Sequence, residues 1–178
     1  MPRPVLTIID AQERLFSAMD AERRESMIGN LKILATAARR LGHPVVLTEQ
    51  YPRGLGRTLP ELRALLPDVT PLEKTAFSCA RAPGFEDLVR SLGADPVVLA
   101  GVEAHVCVLL TALDLVAAGL PAVIVADAVC SRRRESVELA LAQARQAGIV
   151  VTSTETLVFQ WLGQADTDVF REVAKLLR

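Results

Sequence analysis

This chain is poor in the residues on which nucleic-acid-binding, metal-binding and secreted proteins depend. It has two histidines, and aromatic residues make up only 4% of it, too few rings for a base-stacking surface. Its three cysteines (Cys79, Cys107, Cys130) are an odd set without a C-x-x-C pair, which argues against a disulfide framework or a structural zinc site and fits a reducing compartment. An excess of either charge is missing too. Twenty basic residues against 21 acidic ones leave a net charge of −1, with no drive toward nucleic acid or anionic membranes. No apolar run approaches the length of a membrane span, and the first residues lack the basic-then-apolar order of a signal peptide. The expectation is a soluble cytoplasmic protein without nucleic-acid or membrane partners.

Aliphatic residues are what the chain has in quantity. A hydrophobic content of 51% and a mean hydropathy of +0.30 exclude disorder and suggest elements buried on more than one side. The 178 residues fit one domain spanning 1–178, with no repeat, low-complexity segment or linker. Short β-branched runs alternate with amphipathic segments. Val5–Ile9 is a strand, and Ser26–Leu41 a helix closed by Gly42 and Pro44. Val45–Thr48 is a second strand, followed by an irregular loop over 49–57 and a short helix from Pro60 to Leu66. Leu72–Lys74 is a third strand, Phe85–Leu92 a helix, and Val97–Ala100 a fourth strand. Ala122–Ala126 is the fifth, Arg134–Ala147 a helix, Ile149–Val151 the sixth, and two short helices fill 154–178. The pattern predicts an α/β fold of three layers, Rossmann-like, with a six-stranded, mostly parallel sheet and helices on both faces.

In such sheets ligands bind outside the carboxyl ends of the strands. Asp10, Glu49, Lys74, the Gly101–Cys107 turn and Asp127 each fall at or just past a predicted strand end. They should therefore gather on one edge, although Asp127 reads better as a cap for the turn that follows it. The segment Pro96–Gly119 organises the rest: a buried strand, a break at Gly101, then apolar positions Val106, Leu109, Leu110, Leu113 and Val116 at helical spacing. Cys107 lies in the first helical turn, where backbone N–H groups and the helix dipole favour a thiolate. Lys74 would lower its pKa further and keep Asp10 ionised, and Asp10 could take the thiol proton. The bland alternative is a buried Asp10–Lys74 salt bridge beside an inert structural cysteine.

The segments IIDAQERLF, TEQYPRGLG, EKTAFSC, GVEAHVCVLLTALDLVAAG and VADAVCSRRRES occur in order and cover nearly the whole chain. In them the chain resembles the isochorismatase-like cysteine hydrolases, which include nicotinamidases and N-carbamoylsarcosine amidases, and most of all the isochorismatase domain-containing proteins. The resemblance implies a catalytic triad of Asp10, Lys74 and Cys107, and a cis peptide at Val102–Glu103. It also implies an oxyanion hole from the amides of Glu103 and Cys107, and a homo-oligomer. The expected activity is hydrolysis of a small amide or related carbonyl substrate through a thioester. Nicotinamidases carry histidine metal ligands in the loop after the second strand. Here that loop has none, so neither a metal nor another cofactor is expected.

Candidate pocket residues are Gln50, Tyr51, Phe77 and His105, although a Phe placed after a strand, as Phe77 is, more often belongs to the core, and His105 could pack between strand and helix or face a neighbouring subunit. Glu49 could shape the pocket or simply structure its loop. The run Arg132–Arg134 could bind an anion or form a solvated face, and Cys79 and Cys130 read as structural. The competing reading is a non-catalytic ligand-binding or assembly protein on the hydrolase scaffold. Retention of Asp10, Lys74 and Cys107 together favours the enzyme. A thiol redox sensor is a third reading, weakened by the absence of a resolving cysteine at short spacing.

Overall fold

The computed structural model describes residues 3–177. Its strands are β1 (Arg3–Ile9), β2 (Val45–Gln50), β3 (Leu72–Lys74), β4 (Ala94–Val102), β5 (Ala122–Cys130) and β6 (Val150–Thr152). They form one six-stranded sheet in the order β3-β2-β1-β4-β5-β6, with every adjacent pair parallel. The strands are apolar almost throughout because both faces are covered. Along β1, Leu6 and Ile8 enter one core cluster, whereas Val5 and Ile9 enter the other.

The first layer of helices comprises α1 (Glu13–Ser17), α2 (Ala21–Leu41), α4 (Pro60–Leu65), α8 (Thr154–Leu162) and α9 (Asp168–Val173), burying Phe16, Leu31, Leu34, Leu62, Leu157 and Val173. The opposite layer holds α5 (Phe85–Ser91), α6 (Leu109–Ala117) and α7 (Arg134–Gln146), with Phe85, Val89, Leu115 and Val137 buried. The loop after β2 contains the one-turn helix α3 (Pro52–Leu55).

Several boundaries differ from the sequence reading. Helix α2 begins at Ala21, not Ser26, because the Asp20 carboxylate caps it by accepting from Arg23 N–H. The added turns are mostly solvent-facing and so carry no apolar period. Helices α1 and α3 escape a periodicity argument because each is about one turn long. Strand β5 does not end at Ala126. Its register with β4 jumps from Leu99↔Ile124 to Gly101↔Val129, so residues 125–128 form a bulge and the strand resumes to Cys130. Asp127 is therefore inside a strand and exposed. It does act as a cap, but for α8: its Oδ1 accepts from Thr154 N–H at 2.7 Å and from the Thr154 hydroxyl at 2.8 Å. Arg178, assigned to the last helix from sequence, lies outside the described residues.

Strand order reverses direction between β1 and β4, which makes the edge above these two strands the switch point where α/β sheets place ligands. Gly101 permits their approach there. It adopts φ +117°, and a Cβ on it would lie 2.0 Å from the Ile9 carbonyl oxygen. Only glycine fits.

Candidate active site

Asp10 follows directly on β1, fully buried, with φ +51°, a left-handed conformation that aspartate tolerates better than bulky residues. Both of its carboxylate oxygens are engaged. Oδ1 accepts from the Thr48 hydroxyl at 2.7 Å, and Oδ2 from Lys74 Nζ at 2.7 Å. Lys74 ends β3, and neither side chain of the ion pair has any solvent exposure. The ammonium also donates to Gln50 Oε1 at 2.6 Å, and lies 3.2 Å from the Ala76 carbonyl oxygen and 3.1 Å from that of Phe77. Burial alone would push the Lys74 pKa down, but the charge and hydrogen bond of the Asp10 carboxylate oppose it and the pKa is raised. A buried charge so completely coordinated is a fixed cation, not a proton donor.

Cys107 sits in a π-helical turn, Ala104–Val108, between β4 and α6. The preceding Val102–Glu103 peptide is cis, and the Glu103 carbonyl accepts from Val106 N–H at 3.1 Å and Val108 N–H at 3.2 Å. Thr111 pins the turn to the opposite wall. Its hydroxyl donates to the Cys107 carbonyl at 2.6 Å and accepts from Cys79 N–H at 2.8 Å. The Cys107 thiol does not have the depressed pKa that helix position and Lys74 suggest. Burial raises it first and the adjoining Asp10 carboxylate raises it further, with Lys74 offsetting only part. The resting pair is a neutral thiol beside a carboxylate committed to Lys74. Sequence suggests Asp10 only as a proton acceptor; in the fold it is also a charge that opposes the thiolate, adding to the larger effect of burial.

The remaining candidates divide. Gln50 is buried against Lys74 and donates through Nε2 to the Thr75 carbonyl at 2.8 Å. Tyr51, with φ +37°, is 54% exposed and lines a cleft of about 360 Å³ with Pro52, Arg53, Glu73, Lys74, Thr75 and Pro83. Phe77 is not core: its ring is 60% exposed, and its backbone carbonyl is the part that meets Lys74. His105 points away from this cluster, toward β5, with Nδ1 2.9 Å from Ser131 Oγ. Glu49 structures its loop. Its buried carboxylate accepts from Thr58 N–H, the Thr58 hydroxyl and Arg57. Burial tends to raise its pKa, but those hydrogen bonds hold it below the usual range. Among the described residues, no cluster of three His, Cys, Asp or Glu side chains is placed to hold a metal ion.

Three residues that build the site carry no sequence signal that singles them out. Thr48 and Thr111 are ordinary members of a strand and a helix. Gln12, fully buried, accepts from Gln50 N–H at 2.7 Å and donates to the carbonyls of Gln50 at 3.0 Å and Gly56 at 2.7 Å. It ties the segment after β1 to the loop after β2.

The structure is thus a doubly wound parallel α/β sheet with an Asp–Lys pair and a cysteine turn at its switch point. The chain belongs to the isochorismatase domain family, whose model matches residues 4–156. It is 38% identical to isochorismatase domain-containing protein 2 of Danio rerio, over 97% of this chain and 86% of that protein. Among solved structures, it is 39% identical to one described as the MAR1 ribonuclease of Caenorhabditis elegans, with a TM-score of 0.90 over 98% of this chain and 89% of that one. An Escherichia coli protein, the ycaC gene product, described as an octameric hydrolase of unknown specificity, has the same fold. Its TM-score is 0.91 over 98% of this chain and 86% of that chain, at 22% identity. No described helix is long and apolar enough to cross a membrane.

Proposed function

We propose that the protein is a metal-free cysteine hydrolase that cleaves a small amide or related carbonyl compound through a thioester. The observation that carries this is the fully buried Asp10–Lys74 ion pair held against the Cys107 turn at the sheet's switch point. A pair without solvent exposure is costly to bury and weak evidence for stability alone; beside a thiol it has chemical use.

In the proposed reaction Cys107 Sγ attacks the substrate carbonyl carbon as its proton passes to Asp10. The carbonyl electron pair moves to oxygen, which the backbone N–H groups of Glu103 and Cys107 stabilise as the oxyanion hole. The C–N bond then breaks, and Asp10 returns the proton to the departing amine. Water attacks the thioester, Asp10 takes its proton, and the sulfur leaves to be reprotonated. Lys74 keeps its charge throughout. It stabilises the ionised sulfur and, once Asp10 is protonated, remains held by Gln50 and the two carbonyls. The elevated thiol pKa supports a proton transfer that occurs only with substrate bound, which keeps an idle thiolate from being oxidised. Substrate would enter from the Tyr51 cleft, and we propose a homo-oligomer on the precedent of the octameric fold relative.

The test is ammonia or amine release across a panel of small primary and substituted amides. Wild type should turn over at least one, and Cys107→Ser and Asp10→Asn should each lose at least a hundredfold. Activity retained in Cys107→Ser would refute the reading. A second reading comes from the name of the C. elegans structure. Ribonuclease action here would be seen as RNA cleavage that survives Cys107→Ser. The near-neutral charge of this chain and its scarcity of aromatic residues favour the small-molecule reading.

A further inference from the structure

A second polar cavity, of about 350 Å³, opens on the same sheet edge beyond β4, lined by His105, Arg132, Arg133 and Ser136. Three of its four lining residues are basic or imidazole side chains. Arg132 is partly committed: its backbone N–H and its Nε both reach Glu103 Oε2 at 3.1 Å. The Glu103 side chain is 12% exposed, so this ion pair closes the wall between the cavity and the Cys107 turn. Arg133 has no hydrogen-bond or ion-pair partner for its side chain among the described residues. His105 uses only Nδ1, against Ser131. When the Ser131 hydroxyl donates to Nδ1, the ring proton sits on Nε2 and is available to a ligand. The cavity thus has an unneutralised guanidinium, a second guanidinium with N–H groups to spare, an imidazole and a hydroxyl. The Glu103 carboxylate at its edge is already paired with Arg132.

We propose that this cavity is a binding site for a small oxyanion, a carboxylate or a phosphate group. A guanidinium pairs with either through parallel N–H···O bonds, and the imidazole N–H and the serine hydroxyl supply further donors. The site is separate from the Asp10–Lys74 cluster: His105 meets Ser131 just past β5, whereas the Cys107 thiol is influenced by Asp10 and Lys74. It is coupled to the turn all the same, because an anion that draws Arg132 toward itself competes with Glu103. The site stands whether or not Cys107 is a nucleophile.

Inorganic phosphate at low ionic strength, titrated into the intact protein by calorimetry, tests it. Wild type should show saturable binding and a rise in Tm of about 3–5 °C at tenfold Kd. Arg133→Glu should weaken binding at least tenfold, whereas Arg145→Glu, at the far end of α7 with the same change of net charge, should not. Absence of saturable binding, or equal loss in the two variants, overturns the site. Alkylation of Cys107 by iodoacetate and by neutral iodoacetamide separates the two sources of the anion. If the group belongs to the substrate, Arg133→Glu slows iodoacetate selectively. If it is a separate anion, phosphate binding is lost while the ratio of the two rates stays at the wild-type value.

Discussion

Replacing Asp10 with asparagine should make Cys107 more reactive toward alkylation while abolishing hydrolysis. The buried cluster holds one permanent cation, Lys74, and one anion, Asp10, 2.7 Å apart. Any second anion is disfavoured, which is one of the two reasons the Cys107 thiol titrates above its ordinary range. Asparagine keeps the shape and can still accept from Thr48, but it removes the charge. For scale, two like unit charges about 4 Å apart at an effective dielectric of about 20 repel by about 4 kcal/mol. Some of that is returned, because Lys74 without its counter-ion is itself harder to keep protonated. Ionised Cys107 then becomes the natural partner of Lys74. The alkylation midpoint should fall by about two pH units. Initial rates of iodoacetamide labelling between pH 7 and 10, where the thiolate is the minor form and the rate scales with its fraction, give this shift by peptide mass spectrometry, with Cys79 and Cys130 in the same molecule as references. Asp10→Asn/Lys74→Met should reverse the gain, since no cation remains. A midpoint in Asp10→Asn at or above that of wild type would refute the electrostatic account of the site.

Other perturbations have outcomes set by the same geometry. Lys74→Met leaves the Asp10 carboxylate buried without a counter-ion, and chemical denaturation should show a loss of about 3–5 kcal/mol. Lys74→Arg should not restore activity, because acceptors 2.6–3.2 Å from a single Nζ leave no room for a guanidinium. Gly101→Ala forces a Cβ against the Ile9 backbone at positive φ. Its stability should drop by more than about 3 kcal/mol, and unchanged thermal unfolding would disprove the close approach of β1 and β4. Cys79, whose thiol is pushed up to about 11 by burial from an ordinary value of 9.0, stays protonated in the fold after the unfolded thiol has ionised. Its contribution is present below pH 9 and is lost as pH rises from 9 to about 11. Denaturation at a series of pH values should show that alkaline slope, and Cys79→Ala should reduce it, the raised Cys107 and Cys130 thiols supplying the remainder. Glu49 shifts the other way. Its hydrogen bonds to the 57–58 segment stabilise above the ordinary carboxylate range and are lost on acidification through its lowered pKa, so proteolysis of the 51–58 loop should accelerate at low pH in wild type. In Glu49→Gln it should already be fast at neutral pH.

Local chemistry was readable without coordinates wherever it depended on near neighbours in the chain. Aliphatic runs such as VLTII and AVIVA specify buried strands, Gly42 ends α2, and alternation of the two element types specifies a parallel sheet. The rule that ligands sit at strand ends brought Asp10, Lys74 and the Cys107 turn to one edge. Short elements were not readable: α1 and α3 rest on the loop tied down by Gln12 and Glu49, not on a period. Tertiary structure alone decided the rest. The bulge at 125–128 moved Asp127 from a strand end to the start of α8, and Phe77 faces solvent because its backbone, not its ring, serves Lys74. Above all, the sign of the Cys107 pKa shift depends on how deeply the thiol is buried and on which of two opposite charges acts on it more strongly. A sequence lists those charges; burial and distance, which set the dielectric and the Coulomb energy, exist only once the chain has folded.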